Sequence, residues 1–209
     1  MFKFISEQKQ TIKQKDPSIK STAEIFLHPG FWAIAAHRVS HKLYKRKRFF
    51  AARFVSMLAR MYTGIEIHPG AKIGKRLFID HGLGVVIGET TIIGNDVLIY
   101  QGVTLGGTGK DIGKRHPTLG SNIMVGAGVK VLGPVKIGSG VRIGAGSVVL
   151  QSIPPNCTAV GVPAKVVRRK GEKPEPDCLN QTDFPNIYAD EVNKLKERID
   201  RMEKKYESL

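Results

Sequence analysis

Cysteine is scarce in this sequence, and its scarcity excludes two common ways of stabilising a chain. Only Cys157 and Cys178 occur among the 209 residues, too few for a disulfide framework or for a zinc site built from cysteines. The opening stretch MFKFISEQKQTIKQK lacks the apolar core of a signal peptide, and no run approaches the roughly 20 apolar residues that span a bilayer. We therefore expect a cytoplasmic protein without a membrane-spanning segment.

Acidic residues are also scarce, since 18 Asp and Glu stand against 33 Lys and Arg. Such a surplus of positive charge suits a polyanionic partner: nucleic acid, an acidic membrane or a phosphate-rich small molecule. Aromatic residues make up only 7% of the chain and are not interleaved with its basic runs, which counts against a scaffold that stacks nucleic-acid bases. Steeply salt-dependent binding to DNA or RNA would restore that alternative.

The sequence divides into three segments, which we assign to residues 1–64, 65–167 and 168–209. The first has helical periodicity from Asp16 onward, with Ser21 and Glu24 spaced as a capping box and a break at Pro29-Gly30. The last is polar through GEKPEPD and then predicts a helix. Apolar residues of that helix alternate three and four apart, as in a short coiled-coil seam: Val192, Leu195, Ile199, Met202 and Tyr206.

The middle segment repeats every six residues. An aliphatic residue returns with this period, a glycine often follows it, and a small or branched residue lies four positions on. A period of six fits neither a helix nor a plain strand, but it fits a short strand plus a tight corner. The pattern predicts a parallel β-helix with three such units per turn and the aliphatic side chains inside. The in-phase residues are Ile67, Ile73, Ile79, Ile87, Ile93, Ile99, Leu105, Leu119, Val125, Val131, Ile137, Ile143 and Val149.

This repeat slips twice, and both slips carry ionisable residues. The first contains Asp80 and His81, and the second expels the loop GGTGKDIGKRHPT. Loops that leave a rigid scaffold often carry function. The glycine-rich stretches do not fit a dinucleotide fingerprint, because no helix follows HGLGVVIG, nor a phosphate loop, because LGGTGKD lacks two of the motif's residues.

Five stretches of the sequence carry distinctive motifs: IEIHPGAKIGKRLFIDHGLGVVIGET, QGVTLGGTGK, GKRHPTLG, IGAGSVVL and AVGVPAKVV. Together they resemble the serine O-acetyltransferases, a family of hexapeptide-repeat acyltransferases, over about residues 16 to 167. The resemblance implies a mainly β fold, a left-handed parallel β-helix with a short N-terminal helical domain and a C-terminal helix. It also implies acetyl transfer from acetyl-CoA, as co-substrate, to the hydroxyl of L-serine in cysteine biosynthesis, without a cofactor or a metal.

The chemistry of that reaction requires a base. A serine hydroxyl attacks a thioester well only when its proton is removed, and a histidine, with a reference pKa of about 6.5, suits that task at neutral pH. The resemblance implies that His81 is this base. It also implies that Glu66, fifteen positions earlier, orients the imidazole and stabilises the imidazolium. Aspartate is usual in the family at this position, so Glu66 departs from the pattern.

The resemblance further implies which residues bind the two substrates. Asp16 and Asp80 hold the polar head of serine, and Arg115 and His116 complete the pocket, since a forked guanidinium suits a carboxylate. Backbone N–H groups of the glycine-rich loop supply oxyanion donors. Small residues make room for the pantetheine arm of acetyl-CoA: Gly107, Thr108, Ala127 and Ala145. Two basic residues, Lys110 and Lys130, are placed to bind its phosphates.

Two expectations concern protein partners. The N-terminal helical region is much shorter than the one that joins two trimers in the enterobacterial members of the family, so we expect a homotrimer with active sites between subunits. In the family, a C-terminal isoleucine can insert into O-acetylserine sulfhydrylase. This sequence ends in Leu209, which offers a similar apolar side chain beside a carboxylate. We expect no nucleic-acid partner.

Other interpretations of the same residues remain open. Related β-helices serve as zinc carbonic anhydrases, for which His68, His81 and His116 would be the ligands. An acetyltransferase for sugars or antibiotics would keep the acetyl donor and change the acceptor, although Arg115 and the acidic pair favour an amino acid.

Two histidines of the helical segment, His37 and His41, lie one helical turn apart. Without a third ligand, such a pair more often forms a solvated face than a metal site.

Overall fold

The computed structural model describes residues 2–109, 112–169 and 187–207. Helices α1 (Phe2–Lys15), α2 (Pro29–Lys45) and α3 (Phe49–Thr63) precede a run of short strands, and α4 (Ile187–Glu207) follows it. Across these described ranges, no helix combines the length and apolarity needed to cross a membrane. The strands are β1 (Glu66–Ile67), β2 (Lys72–Ile73), β3 (Phe78–Ile79), β4 (Val86–Ile87), β5 (Ile92–Ile93), β6 (Val97–Ile99), β7 (Thr104–Gly106), β8 (Thr118–Leu119), β9 (Ile123–Val125), β10 (Lys130–Leu132), β11 (Lys136–Ile137), β12 (Arg142–Ile143), β13 (Val148–Val149), β14 (Thr158–Gly161) and β15 (Ala164–Arg168).

The strands form three sheets that wind as a parallel β-helix. Sheet A contains β1, β4, β7, β10 and β13, sheet B contains β2, β5, β8 and β11, and sheet C contains β3, β6, β9, β12, β14 and β15. Each turn of the chain, here called a coil, adds one strand to each sheet. At the end of sheet C, β15 pairs antiparallel with β14 and closes the last coil.

Side chains in phase with the six-residue period stack into columns inside the β-helix. In sheet A, strand pairing aligns Ile67 with Ile87, then with Leu105, Val131 and Val149. All five are buried. Burial of an aliphatic side chain contributes about 1.5–3 kcal/mol relative to exposure, so each coil stabilises its neighbours. Sheets B and C have matching columns: Ile73, Ile93, Leu119, Ile137 and Ile153, and Ile79, Ile99, Val125, Ile143 and Ala159.

Three edges join the sheets, and two of them matter for function. We call the corner between sheets C and A the CA edge, and the corner between sheets A and B the AB edge. Along the CA edge, Gly84, Gly102 and Gly128 have φ values of 75°, 69° and 71°, a left-handed conformation that glycine adopts at no steric cost. The first sequence slip falls on the CA edge between β3 and β4, and the second on the AB edge between β7 and β8.

Helices α2 and α3 cover the first coil. The Ser56 hydroxyl donates to the carbonyl of Ile67 at 2.7 Å, and His37 Nε2 lies 3.2 Å from the carbonyl oxygen of Ala71. His37 is only 5% exposed. The prediction that His37 and His41 form a solvated face is therefore wrong, because α2 turns this face toward the β-helix.

The N-terminal segment differs from its prediction in two ways. Helix α1 begins at Phe2, whereas the sequence pattern indicated helices only from Asp16. The helix has few apolar residues, and polar residues surround them in the sequence. One of them, Ile12, is nevertheless buried in the hydrophobic core. The capping box is also altered: Ser21 Oγ accepts from the N–H of Ala23 at 3.3 Å, while Glu24 accepts from the N–H of Lys20. These contacts begin a six-residue 3-10 helix, Thr22–Leu27.

Candidate active site

His81 lies on the CA edge, in the connection between β3 and β4. Its φ of 52° puts it in the left-handed region, which histidine tolerates better than most residues. Gly82 beside it is buried, and a Cβ there would lie 2.3 Å from Ile65 Cδ1. The imidazole itself is 78% exposed. An unusual backbone conformation that presents a titratable group is a feature of functional sites.

Two carboxylates lie near His81, and the structure places them differently. Asp80 Oδ1 lies 3.8 Å from His81 Nε2. Glu66, at the start of β1, instead pairs through Oε2 with Arg60 Nη1 at 2.8 Å. Asp80 is thus the carboxylate beside the imidazole in a single chain, and the pairing of Glu66 with His81 stays a prediction.

Asp16 follows α1 and is held by two neighbours. The backbone N–H and the hydroxyl of Ser18 donate to its Oδ1 at 2.9 and 2.6 Å, and His28 Nε2 lies 3.3 Å from its Oδ2. Burial alone would raise the pKa of Asp16, but the hydrogen bonds from Ser18 and His28 outweigh it and hold the pKa below its usual value. The His28 ring packs on Phe78, 5.4 Å between centroids. Through His28, Asp16 is held next to β3, the strand that directly precedes Asp80.

Arg115 and His116 lie on the AB edge, where Thr90 fixes both. Thr90 Oγ1 accepts the backbone N–H groups of Arg115 and His116, each at 3.1 Å. The N–H of Thr90 donates to His116 Nδ1 at 3.2 Å, so the proton of the neutral ring lies on Nε2. Burial lowers the pKa of His116, and the charge of Arg115 lowers it further. The ring is therefore mainly neutral at pH 7, with Nε2 as a donor.

Lys114 anchors the returning end of the same loop. Its ammonium donates to the carbonyl of Thr90 at 2.8 Å and to that of Pro117 at 3.1 Å, and it also contacts the carbonyl of His116. Burial lowers the pKa of Lys114. These bonds orient the backbone that carries Arg115 and His116.

A second anchor of Arg115 was missed by sequence reasoning. Arg115 Nη2 donates to Glu89 Oε2 at 2.5 Å, and the Tyr44 hydroxyl donates to Glu89 Oε1 at 2.8 Å. The hydrogen bond from Tyr44, followed by that from Arg115, outweighs burial and holds the pKa of Glu89 below its usual value. Glu89 is 26 residues from Arg115 and 45 from Tyr44. Only the motif ending GET pointed to this position.

The predicted site residues thus fall on opposite edges of sheet A. The CA edge carries Asp80 and His81 and continues, two and three coils on, through Ala127 and Ala145. The AB edge carries Gly107, Thr108, Arg115 and His116. One chain therefore presents two half-sites separated by the width of a sheet.

Lys130 is the first residue of β10 in sheet A, next to the CA edge. Its ammonium donates to the carbonyl of Gly102 at 2.5 Å and lies 3.1 Å from Thr104 Oγ1. Lys110, the other predicted cation for acetyl-CoA, lies outside the described residues.

Metal chemistry was the main alternative for the histidines. Among the residues that the structure describes, no three His, Cys, Asp or Glu side chains converge as a metal site. His68 Nδ1 accepts the N–H of Gly70 at 2.9 Å. A single chain thus does not bring His68, His81 and His116 together.

Comparison with known proteins is decisive for the family. The profile of a family described as bacterial transferase hexapeptide (six repeats) matches residues 116–151. The chain is 51% identical to a serine acetyltransferase of Bacillus licheniformis, with 99% of each sequence covered. This chain belongs to the serine acetyltransferase family.

Solved structures of serine acetyltransferases agree with this assignment. The Neisseria gonorrhoeae protein in complex with serine is 42% identical, with a TM-score of 0.76 over 80% of this chain and 69% of that one. The Brucella abortus protein in complex with coenzyme A is 40% identical, with a TM-score of 0.78 over 81% of this chain and 68% of that one. The predicted fold, a left-handed parallel β-helix with N-terminal helices and a C-terminal helix, is confirmed.

For a serine acetyltransferase, the two half-sites have complementary chemistry. The CA edge offers an imidazole and carboxylates, which suit a hydroxyl proton and an ammonium group. The AB edge offers a guanidinium and a neutral imidazole N–H, which suit a carboxylate.

Proposed function

We propose that this chain transfers the acetyl group of acetyl-CoA to the hydroxyl of L-serine, with His81 as the general base. Membership of the serine acetyltransferase family supports the reaction, and the relatives solved with serine and with coenzyme A support the two substrates. The observation that carries the assignment of the base is the exposed imidazole of His81 on a left-handed corner of an otherwise apolar β-helix.

The proposed reaction needs no covalent enzyme intermediate. The serine oxygen attacks the thioester carbonyl carbon while the imidazole of His81 takes the hydroxyl proton. The resulting oxyanion is stabilised by backbone N–H groups of the glycine-rich loop. Collapse breaks the carbon–sulfur bond, and the leaving thiolate takes the proton from the imidazolium. The products are O-acetyl-L-serine and CoA, and His81 returns to its neutral form.

Glu66 and Asp80 have different parts in this proposal. Glu66 orients the imidazole, after exchanging Arg60 for His81 when substrate binds. That exchange is inexpensive because the Arg60 side chain is 64% exposed and exposed ion pairs are worth about 0–1 kcal/mol. Asp80 then turns from the imidazole to the ammonium group of serine, together with Asp16.

The carboxylate of serine is assigned to Arg115 and His116, which in one chain lie on the far edge of sheet A. A complete pocket therefore requires the CA edge of one copy to face the AB edge of another. Rotation by one third of a turn about a common axis satisfies this requirement at three equivalent sites. We accordingly propose a homotrimer in which each active site is shared by two copies.

Exposed apolar side chains support an interface at the CA edge. Leu83, two residues after His81, is 73% exposed, and Met61 and Tyr62 at the end of α3 are 76% and 79% exposed. Leu83 also lies against Gly64, where a Cβ would be 2.5 Å from its Cδ1. Exposed apolar side chains of this size are typical of a surface that another protein covers.

Acetyl-CoA is placed along the CA edge. The small side chains of Ala127 and Ala145 leave room along this edge for a pantetheine arm, which would end at His81. Lys130 offers a cation beside the same edge, while Gly107 and Thr108 are contributed from the AB edge of the neighbouring copy. Lys110 stays a candidate for the phosphates.

Two remaining expectations also belong to the proposal. Binding of O-acetylserine sulfhydrylase would use Leu209, which lies outside the described residues. Cytoplasmic location fits a biosynthetic acetyltransferase that draws on acetyl-CoA.

The test is release of free CoA from acetyl-CoA with a panel of amino acids and sugars, for the wild type and for His81→Asn. Asparagine tolerates the left-handed backbone at this corner, whereas alanine would add strain. We expect release that depends on L-serine and a loss of about 10²- to 10⁴-fold in kcat for the variant. Unchanged thermal unfolding would show that the variant is folded.

Two results would contradict the proposal. A His81→Asn variant with the wild-type rate of CoA release would show that His81 is not the general base. CoA release that depends on a sugar and not on L-serine would indicate that this protein is a sugar or antibiotic acetyltransferase.

A further inference from the structure

Helix α4 presents an apolar stripe that a single chain leaves uncovered. Val192, Leu195, Ile199 and Met202 are 47%, 59%, 53% and 54% exposed. Their spacing of three and four residues puts them on one face of the helix. All side chains described in this helix, residues 192–203, are exposed. A helix with such a stripe gains most of its stability from packing against a partner.

The width of the stripe indicates what the partner is. With Val192 and Ile199 at heptad positions a, Leu195 and Met202 occupy positions d. A helix that packs on a globular core carries a wider apolar face, whereas a strict a/d stripe is the seam of a coiled coil. The outward positions b, c and f carry polar residues only: Asn193, Lys194, Glu197, Asp200 and Arg201.

We propose that α4 packs against α4 of a second copy of this chain as a parallel coiled coil. The charges beside the seam support both the partner and the direction. Arg198 occupies position g, and Glu203 occupies position e of the next heptad. In a parallel pair, position g of one helix lies beside the following position e of the other, so opposite charges meet.

The antiparallel alternative fits less well. In an antiparallel pair centred on the same four apolar residues, position g faces position g. Arg198 would then face the same residue of the second copy, and like charges in contact are destabilising. The charge pattern thus disfavours that direction.

The seam acts together with the β-helix. A helix of 21 residues provides only about three heptads, which are marginal as an isolated coiled coil. Tethering to an assembled body raises the effective concentration of the helices to about the millimolar range. The number of copies held by the body therefore sets the number of helices in the seam. This inference does not depend on the catalytic residues.

Cysteine cross-linking tests the proposal on the full chain. Cys178→Ser removes one thiol, and Cys157 is buried, so this background supplies few competing disulfides. In it, Met202→Cys places a thiol in the seam, and Arg201→Cys places one on the outward face as a matched control. In a parallel coil, position d of one helix meets the same position of its neighbour. We expect oxidation to link Met202→Cys chains into covalent dimers about tenfold faster or more than Arg201→Cys chains, because thiols in the seam are held at a high effective concentration.

Two outcomes would overturn the proposal. Equal rates for the two variants would indicate random collision. Linkage only when Met202→Cys is mixed with Val192→Cys, and not within either variant alone, would indicate antiparallel helices. Serine-dependent CoA release by each variant checks that the body stays folded, because α4 carries none of the proposed catalytic residues.

Charge reversal provides an independent arm. Arg198→Glu in the Met202→Cys background should slow cross-linking about two- to fivefold, the range expected for an exposed ion pair. Adding Glu203→Arg should restore the rate, since the pair is then inverted and not lost. A double variant as slow as the single one would contradict the parallel g–e pairing.

Discussion

Two carboxylates, Glu66 and Asp80, are candidates to orient the imidazole of His81, and single substitutions separate their proposed parts. Glu66→Gln keeps the shape of the side chain and removes its charge. We expect kcat to fall by about 100-fold or more with little change in the serine KM, because an orienting acid acts mainly in the transition state. Asp80→Asn should instead raise the serine KM. Steady-state kinetics with varied L-serine measure both, and the reverse pattern would assign Asp80, 3.8 Å from the imidazole, as the orienting acid.

Among the described residues, the hydroxyl of Tyr44 is linked to Arg115 through Glu89. In Tyr44→Phe the hydrogen bond to Glu89 is lost, while the ion pair of Glu89 with Arg115 stays. Loss of one such bond costs about 0.5–1.5 kcal/mol, so we expect the serine KM to rise by about two- to tenfold with kcat nearly unchanged. If Tyr44→Phe keeps the wild-type serine KM, Tyr44 does not position Arg115.

Two glycines at equivalent positions on adjacent coils allow the role of His116 at the AB edge to be tested without replacing a polar side chain. A Cβ at Gly88 would lie 1.9 Å from His116 Cδ2, whereas one at Gly106, the same position one coil on, would lie 3.1 Å from its nearest neighbour, Leu132. Gly88→Ala therefore displaces the His116 ring. A displacement of about 1 Å can cost 10²-fold in rate, so we expect serine kcat/KM to fall at least about tenfold. Gly106→Ala should keep the wild-type kcat/KM for serine. Equal losses of kcat/KM in the two variants would indicate a general packing defect.

The strands and corners of this fold were predictable because each coil repeats one local rule. Every residue chosen by the period of six lies in the apolar columns, and both slips of the period fall at corners. Helix α1 was missed because its sequence is polar and its stability comes from burial of Ile12 against the β-helix.

The support of the site could not be read from the sequence for a different reason. Thr90 and Glu89 contact Arg115 from the preceding coil, 25 and 26 residues away, and Tyr44 of α2 contacts Glu89 across 45 residues of chain. Local sequence patterns do not predict contacts between residues so far apart in the chain. The resemblance indicated which residues are predicted to bind substrate, but not the residues that position them.

The stability of the whole molecule should depend on pH through His37, which α2 buries against the first coil. Burial, followed by the charge of His41, lowers the pKa of His37 to about 4, against about 6.5 in an unfolded chain. Between these values the unfolded state binds more protons, so stability is full above pH 6.5 and falls as the pH drops toward 4. The loss amounts to about 3 kcal/mol per chain.

A neutral replacement isolates this contribution. His37→Gln can still donate to the carbonyl of Ala71 but does not titrate. Thermal unfolding between pH 7.5 and about 4.5 should show a steeper fall in Tm for the wild type than for the variant. Carboxylates affect both proteins alike, so parallel curves would mean that His37 does not contribute.

Assembly decides whether the two half-sites belong to one chain or to two, and mixing inactive variants tests this directly. His81→Asn and Arg115→Ala chains, co-expressed with different affinity tags and purified over both, give assemblies that contain each variant, which in the proposed homotrimer are rings of two copies of one variant and one of the other. In a 2:1 ring, one interface of the three pairs an intact His81 with an intact Arg115, so we expect about one third of the wild-type rate. If both residues served the same site from one chain, every site would lack one of them, and the mixed protein would be as inactive as its parents. Recovery of activity would therefore establish at once that the copies assemble and that each site spans two of them.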